Sequence, residues 1–334
     1  MSVHAPRVQE LGVFLSGARV GALIPFTNQQ IVFAFDPEYE SDVHRPTLSL
    51  GFKTATGTLR APAPTRVRLP PFFSNLLPEG HLRSYLAARG GIKPIREFPL
   101  LALLGGDLPG AIETRLEADA NVDGAPAGKA GVGAKQRARP LRFSLAGVQL
   151  KFSALAEANG GLTIPVSGSG GDWIVKLPSA RFSSVPEHEH VMLDLASAVG
   201  ITVPAHRLVP LDEIDGLPRD LGPISGQALA VERFDRGANG ARVHIEDFAQ
   251  VFGRYPEQKD GAERSENIAR VLWAEAGLDD CLELVRRLAF VVLTGNGDMH
   301  LKNWSLRYEH PGAPRLSPAY DLVGTVAFLP EAHL

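Results

Sequence analysis

Cysteine is almost absent from this chain, net charge is small, and no apolar run is long. One cysteine, Cys281, among 334 residues excludes an intrachain disulfide framework and fits a reducing cytoplasm. With 34 basic and 37 acidic residues the formal net charge is −3. The whole chain therefore carries no basic footprint for nucleic acid, which leaves room only for a local patch. The opening MSVHAPRVQE has neither a basic stretch nor the apolar segment of a secretory signal. The longest apolar stretch, around Leu284–Leu293, is broken by Arg286 and Arg287. It is too short and too charged to span a bilayer, so no membrane association is expected. No internal repeat is present.

What remains is ordinary soluble composition, 44% hydrophobic and 21% charged. A chain of 334 residues is too long for one small core, and predicts two domains or a two-lobed domain with an appended module. Residues 11–60 read as short strands separated by turns. PPFFSNLLPEGHLRSYLAARG follows, where Pro78 and Glu79 open a helix that Gly90 closes, and a second helix is expected around Pro99–Leu104. Residues 117–140 are rich in Ala and Gly with a basic tail, the composition of a linker.

After the linker, FSLAGVQLKFSAL, LTIPV, DWIVKL and LAVERFDR read as strands. PEHEHVMLDLASAVG has helical spacing, with Val191, Met192, Leu195, Ala196 and Val199 on the expected buried face. Gly200 suits the position just past the helix end. From about Val243 helical patterns dominate. In LDDCLELVRRLAFVVLTGN, Leu282, Val285, Leu288, Ala289 and Val292 form the expected core face, and Cys281 is expected to be an inert core thiol. The domain reading is a small N-terminal α+β module over 1–116, a linker over 117–140, and a two-lobed unit over 141–334. Its β-rich lobe runs to about residue 235 and its α-rich lobe follows.

Four segments carry the groups that phosphoryl transfer needs, namely a phosphate cradle, metal ligands and a residue that orients a hydroxyl. The first is Ser144 to Lys151, where Ala146, Gly147, Val148 and Gln149 make a small-residue turn between strands. Backbone N–H groups there can approach phosphate oxygens. The second is Lys176 in DWIVKLP. Strand alternation turns Ile174 and Lys176 the same way, and an inward lysine needs an anion. ATP phosphate is one candidate, and Glu189 at the start of the next helix is another. The third is GNGDMHLKN, which holds Asp298, His300, Lys302 and Asn303. Asp298 and Asn303 have the D-x-x-x-x-N spacing of a kinase catalytic loop. The fourth is SPAYDL, whose Asp321 would return to the cleft on the next strand as a second magnesium ligand. His188 and His190 do not make an H-E-x-x-H motif, and residues two apart diverge on a helix, so no zinc is expected of that pair.

These segments, with FFSNLLPEG, AVERFDR and HIEDFAQ, resemble the HipA family, the kinase toxins of bacterial type II toxin–antitoxin systems. They run in family order from about residue 11 to 328. The resemblance implies a protein-kinase-like two-lobed α+β fold with a family-specific N-terminal module. It implies Asp298 as the catalytic aspartate, Asn303 and Asp321 as magnesium ligands, and Lys176 as the phosphate-contacting lysine paired with Glu189. Glu232 and Phe234 are implied as the hinge that holds adenine. Ala146, Gly147, Val148, Gln149 and Lys151 are implied as the phosphate-binding loop, and His300 and Lys302 as further nucleotide-site residues. Ser144 matches a serine whose autophosphorylation silences family members. Phosphoserine there would carry about −1.5 to −2 charges against the ATP phosphates and expel the loop.

The implied cofactors are ATP and Mg2+. The implied partners are a helix-turn-helix antitoxin, operator DNA through that antitoxin, and a protein substrate in translation such as an aminoacyl-tRNA synthetase. Family members usually continue for many tens of residues past Y-D-L, so a chain ending at Leu334 is expected to lack part of the helical lobe. Two alternatives stand beside the kinase toxin. One is an inactive kinase that binds antitoxin or an operator complex. The other is a small-molecule kinase of the aminoglycoside or choline type, which the N-terminal module disfavours.

Overall fold

The computed structural model describes residues 10–117, 150–157, 161–165, 170–178, 182, 184–218, 224–237, 240–260, 264–310 and 313–328. Ser144, Ala146, Gly147, Val148 and Gln149 lie outside the described residues, as does the expected linker beyond Glu117. The fold is α+β, with two sheets in the first two thirds of the chain and a third among the helices that follow.

The N-terminal sheet contains β1 (Glu10–Leu15), β2 (Ala18–Pro25), β3 (Gln30–Phe35), β4 (Thr65–Arg66) and β5 (Ile112–Glu117), in the order β4-β3-β2-β1-β5 and antiparallel throughout. Leu11, Val13 and Leu15 alternate into the core as period-2 spacing requires. Helices α1 (Pro37–Ser41), α2 (Pro71–Ser74), α3 (Gly80–Arg89) and α4 (Glu97–Leu104) belong to the same region. Phe33, Phe72 and Phe73 pack there with ring centroids about 5 Å apart. Glu79 stands at the N-cap of α3, as expected.

The second sheet holds β6 (Lys151–Ala156), β7 (Leu162–Thr163), β8 (Trp173–Lys176), β9 (His206–Pro210), β10 (Ile214–Asp215) and β11 (Gln227–Glu232). Their order is β10-β7-β6-β8-β11-β9, with β10 and β7 the parallel pair. Helix α5 (Val185–Ala198) packs on β9 and β11, and Gly200 takes the left-handed conformation just past its end. The cores of the two sheets are one cluster, running from Leu11 to Ala230.

The remainder is less helical than its sequence suggests. β12 (His244–Asp247), β13 (Ser305–His310) and β14 (Ala313–Leu316) make a third sheet among α6 (Phe248–Val251), α7 (Ser265–Glu275) and α8 (Leu278–Thr294). Asp321 follows β14 in irregular chain and not on a strand. No helix among the described residues is long and apolar enough to cross a membrane.

Two helices present different faces from those their apolar spacing predicts. On α8, Leu282, Val285 and Val292 are exposed, whereas Asp280, Leu284, Arg287, Phe290 and Val291 are buried. Asp280 turns inward to partners outside the helix, and Arg287 follows on the same face with a partner one turn away. Asp280 accepts from Arg315 Nε at 2.6 Å and from the Leu316 amide at 2.8 Å, and Arg287 bonds Glu283 at 2.9 Å. On α5, Val191, Leu195 and Val199 are exposed, while Glu189, Leu193 and Ala196 are buried. Met192 is half-buried against the core and so is Cys281. A buried ion pair fixes helix rotation more strongly than a few methyls, because an uncompensated buried charge costs more than an exposed leucine.

Buried charge also joins the N-terminal region to the rest. Arg233 and Arg236 both reach Asp107 and Asp235, at 2.8 to 3.3 Å. Asp235 also accepts from the Gly110 amide at 2.8 Å. Farther along, Glu246 accepts from Ser49 Oγ at 2.6 Å, from the Leu50 amide at 2.9 Å and from Tyr308. His244 Nε2 lies 3.0 Å from the Leu48 carbonyl.

Candidate active site

Between the second sheet and the third lies a cleft of about 350 Å3, within the range of small-molecule sites. Lys151, Lys176, Glu189, Glu232, Phe234, Asp298, His300, Lys302, Asn303 and Asp321 all line it. Every described residue singled out from sequence for this site is therefore brought to one place.

The register explains the lysines. β8 lies between β6 and β11, and Lys151 is the direct cross-strand partner of Lys176. Two ammonium groups opposite one another repel, so the pair needs anions. Lys176 bonds both Glu189 and Asp321 while only 4% exposed, and Glu189 is 1% exposed. Lys151 Nζ stands 3.7 Å from Asp321 Oδ2. Burial acts to lower the Lys176 ammonium, but Asp321 and Glu189 outweigh it and hold the lysine protonated above its ordinary value. Lys151, with a more distant partner, is pulled below the usual lysine range by burial. Burial would raise the Asp321 carboxyl, but Lys151 and Lys176 more than offset it and keep the group ionised.

Asp321 has φ of 54°. This left-handed backbone is costly for a side chain, by roughly 1–3 kcal/mol, and such residues cluster at functional sites. The strain aims a carboxylate at two lysines.

The loop after α8 is built locally. Gly295 ends the helix with φ of 66°, the conformation that favours glycine at this position. Asn296 Oδ1 accepts from the Asp298 amide at 3.1 Å, and Asn303 Nδ2 donates to the Asp298 carbonyl at 2.8 Å. With its nitrogen so committed, Asn303 keeps its side-chain oxygen as the acceptor. Tyr320 OH donates to the Lys302 carbonyl at 2.8 Å, which ties this loop to the segment carrying Asp321. Asp298 itself stays 69% exposed at the mouth of the cleft, with His300 Nε2 at 4.0 Å. Burial lowers the His300 imidazole below its ordinary value, so the ring is neutral near pH 7.

At the other end of the cleft, Phe234 packs on Tyr320 with centroids 5.5 Å apart, and Ile174 and Val231 complete an apolar wall. The Glu232 amide donates to the Ala205 carbonyl at 2.8 Å, and Arg307 Nε donates to the Phe234 carbonyl at 2.7 Å. These bonds fix the connector between the two sheets.

Residues 143–333 match the HipA-like C-terminal domain, and residues 11–115 match the HipA N-terminal domain. The chain belongs to the HipA family. It is 50% identical over 327 residues to Y4dM of Sinorhizobium fredii, covering 97% of this chain and 79% of that protein. It is 32% identical over 358 residues to Y4mE of the same organism, covering 96% and 78%; each of the two bears the name "Putative kinase". The fold is similar to that in the Shewanella oneidensis MR-1 toxin–antitoxin complex of HipA, HipB and operator DNA, with a TM-score of 0.64 at 22% identity. That likeness covers 94% of this chain and 76% of the other.

The HipA-type N-terminal region also enters the cleft, which the sequence reading missed. Asn75, Leu76 and Glu79 of FFSNLLPEG line it. Lys302 Nζ lies 3.0 Å from Asn75 Oδ1, 3.2 Å from the Asn75 carbonyl, 3.0 Å from Glu79 Oε1 and 3.8 Å from Asp247 Oδ2. Lys259 reaches Glu79 Oε2 at 3.3 Å. Burial alone would raise the Glu79 carboxyl, yet Lys302 and Lys259 hold it below its ordinary value. A polar pair inside the apolar FFSNLLPEG run was the available signal, since polar groups among phenylalanines and leucines need partners.

Proposed function

We propose that this HipA-family chain is an ATP- and magnesium-dependent serine/threonine protein kinase, the toxin component of a toxin–antitoxin module. The observation that carries the reading is the convergence of Lys176, Glu189 and Asp321 with Asp298 and Asn303 in one cleft, contributed by segments up to 145 residues apart in sequence. That donor set fits a metal-bound triphosphate. Two lysines supply positive charge for phosphate oxygens. The Asp321 carboxylate and the Asn303 amide oxygen are hard ligands of the kind magnesium takes. The apolar wall of Ile174, Val231, Phe234 and Tyr320 suits an adenine ring. Bound magnesium would neutralise charge developing on the phosphates.

The chain's own groups do the rest. Lys176, steadied by Glu189, and Lys151 hold the phosphates in line. Asp298, open at the mouth, accepts the hydrogen bond of the substrate hydroxyl and takes its proton as the hydroxyl oxygen bonds to the γ-phosphorus of ATP and the phosphorus–oxygen bond to the departing ADP breaks. Asn303 fixes the Asp298 backbone. Ser144, Ala146, Gly147, Val148 and Gln149 are proposed as the autophosphorylated serine and phosphate loop of the same site. Glu232 and Phe234 are proposed at the base, and His300 and Lys302 as residues that shape the catalytic loop. The partners we propose are a helix-turn-helix antitoxin, operator DNA through it, and a protein substrate in translation. The test is incubation with labelled ATP and magnesium. Wild type should label itself at Ser144, and Asp298→Asn should not; equal labelling of the two would refute the assignment.

A second reading, antitoxin or operator-complex binding without phosphoryl transfer, draws on the exposed Leu282, Val285 and Val292 of α8, an apolar stripe suited to a partner. Magnesium-ATP separates the readings. A ligand at 100 times its Kd stabilises by about 2.7 kcal/mol, and an unmoved melting temperature would favour the second.

A further inference from the structure

On the outer side of α5, away from the cleft, three metal-ligating side chains meet. His190 and Asp194 are one helical turn apart and share a face, and His206 opens β9 beside them. Asp194 Oδ2 lies 3.6 Å from His190 Nε2, and Asp194 Oδ1 lies 3.1 Å from His206 Nε2. One ligand atom from each of the three falls within 4.8 Å of the others. The rings of His190 and His206 meet edge to face, with centroids 5.2 Å apart.

The orientation of the His206 ring makes the cluster informative. Its Nδ1 is 2.9 Å from the Pro204 carbonyl. A carbonyl only accepts, so that nitrogen is the donor there, and Nε2 is the one turned to the Asp194 carboxylate, at 3.1 Å. A ligating nitrogen and a ligating oxygen therefore stand side by side. The carbonyl–imidazole pairing is also the arrangement that orients histidine ligands in metal sites.

The spacing leaves room for an ion. Bonds of about 2.0–2.1 Å in a tetrahedral zinc site put neighbouring ligand atoms roughly 3.3 Å apart. Asp194 Oδ1 is 3.1 Å from His206 Nε2 and Asp194 Oδ2 is 3.6 Å from His190 Nε2, so each imidazole meets its own carboxylate oxygen, near enough for one ion to gather all three side chains. His206 is 8% exposed and Asp194 63%, so one ligand is rigid and buried while the other opens to solvent. An ion could enter there and keep water as its fourth ligand.

We infer that His190, Asp194 and His206 form a binding site for a divalent ion of the zinc class, which staples α5 to the edge strand β9. His188 is not a member; the pairing is between His190, its neighbour one turn on, and a histidine on a strand. The site lies next to the cleft through the chain itself, because Glu189 precedes His190 and bonds Lys176. A bound ion would therefore hold the helix in the position where Glu189 reaches the lysine. Only this last consequence rests on the kinase reading.

The test is metal binding by the full chain after chelator treatment, in buffer containing magnesium. Zinc titrated by calorimetry should bind at one equivalent, and Co2+ should give the visible absorption of a tetrahedral site. His190→Ala and His206→Ala should each weaken binding at least tenfold, and Asp194→Asn should weaken it less. Zinc should raise the melting temperature of wild type and not of the double histidine variant. His300→Ala removes the second histidine–carboxylate cluster among the described residues, Asp260, Asp298 and His300, and should leave the cobalt spectrum unchanged. The inference is overturned if no stoichiometric zinc binds, or if binding survives both histidine substitutions. It is equally overturned if zinc leaves the melting temperature of wild type unmoved. None of these readouts uses phosphoryl transfer, so failure here and failure of the kinase reading remain separate results.

Discussion

Two lysine clusters face the same cleft, and they are built in opposite ways. Around Lys302 the chain supplies every anion and acceptor itself: Glu79 and Asn75 from the N-terminal region and Asp247 at the head of α6. Around Lys151 and Lys176 compensation is incomplete. Lys151 has its carboxylate at 3.7 Å, and the Asp321 that serves both lysines is itself 27% exposed toward the cleft. A cluster closed by its own protein groups is structural. One whose charges remain partly open is ready for a ligand that brings charge. Residue type does not distinguish them; how closely the carboxylates meet the lysines, and how far they open to the cleft, does.

The largest effect expected across this comparison is catalytic. Asp298→Asn should lower the rate of phosphoryl transfer by about 10²–10⁴-fold, with little change in melting temperature because the side chain is exposed. A comparable loss of stability would mean the residue is part of the packing and not of the chemistry. Next, Lys302→Met should destabilise the fold by about 3–5 kcal/mol, since it leaves buried Asp247 without its cation and Glu79 with Lys259 alone. Denaturant unfolding measures this, and a cost under about 1 kcal/mol would place Lys302 with the open cluster.

The joint between the N-terminal region and the third sheet gives a pH signature. Burial pushes Glu246 up to about 7, so its contribution to stability is present at low pH and lost as pH rises from 4.5 through 7. Burial pushes His244 down to about 4, so its contribution is present above 6.5 and lost as pH falls toward 4. Between 4.5 and 6.5 the two slopes offset one another. Glu246→Gln should leave the histidine slope alone, and the variant should gain on wild type by about 2 kcal/mol across that window. Parallel stability curves for the two proteins would show that Glu246 is ionised throughout. The smallest effect is expected of Lys151→Met. It should weaken magnesium-ATP binding by about tenfold, or 1.4 kcal/mol, while leaving the protein as stable as before or slightly more so, because a poorly compensated buried charge is gone.

Much of the site was legible in the order of its motifs. D-x-x-x-x-N after a long apolar helix, a lysine on a strand with a glutamate on the next helix, and the Y-D-L aspartate all reach the cleft. The helix faces were less legible. Apolar spacing on α8 pointed to Leu282, Val285 and Val292, yet Asp280 and Arg287 are on the buried side, because Arg315 and the Leu316 amide meet Asp280 from outside the helix, where periodicity alone cannot show them. The same holds on α5, where Glu189 is drawn inward by Lys176. Of the third sheet, β12 was not read from sequence, because it is four residues long and runs straight into α6.

Sequence by itself determined which chemical groups this HipA-family chain has to work with, and which of them sit on one strand, turn or helix. Local geometry is fixed by spacing of a few residues. Tertiary structure alone decided which anion meets which cation: that Lys151 stands opposite Lys176, that Glu79 comes back across the molecule to close around Lys302, and that His206 arrives beside His190 and Asp194. The physical reason is that a charge's environment is set by neighbours in space, and those neighbours come from segments that no local pattern connects.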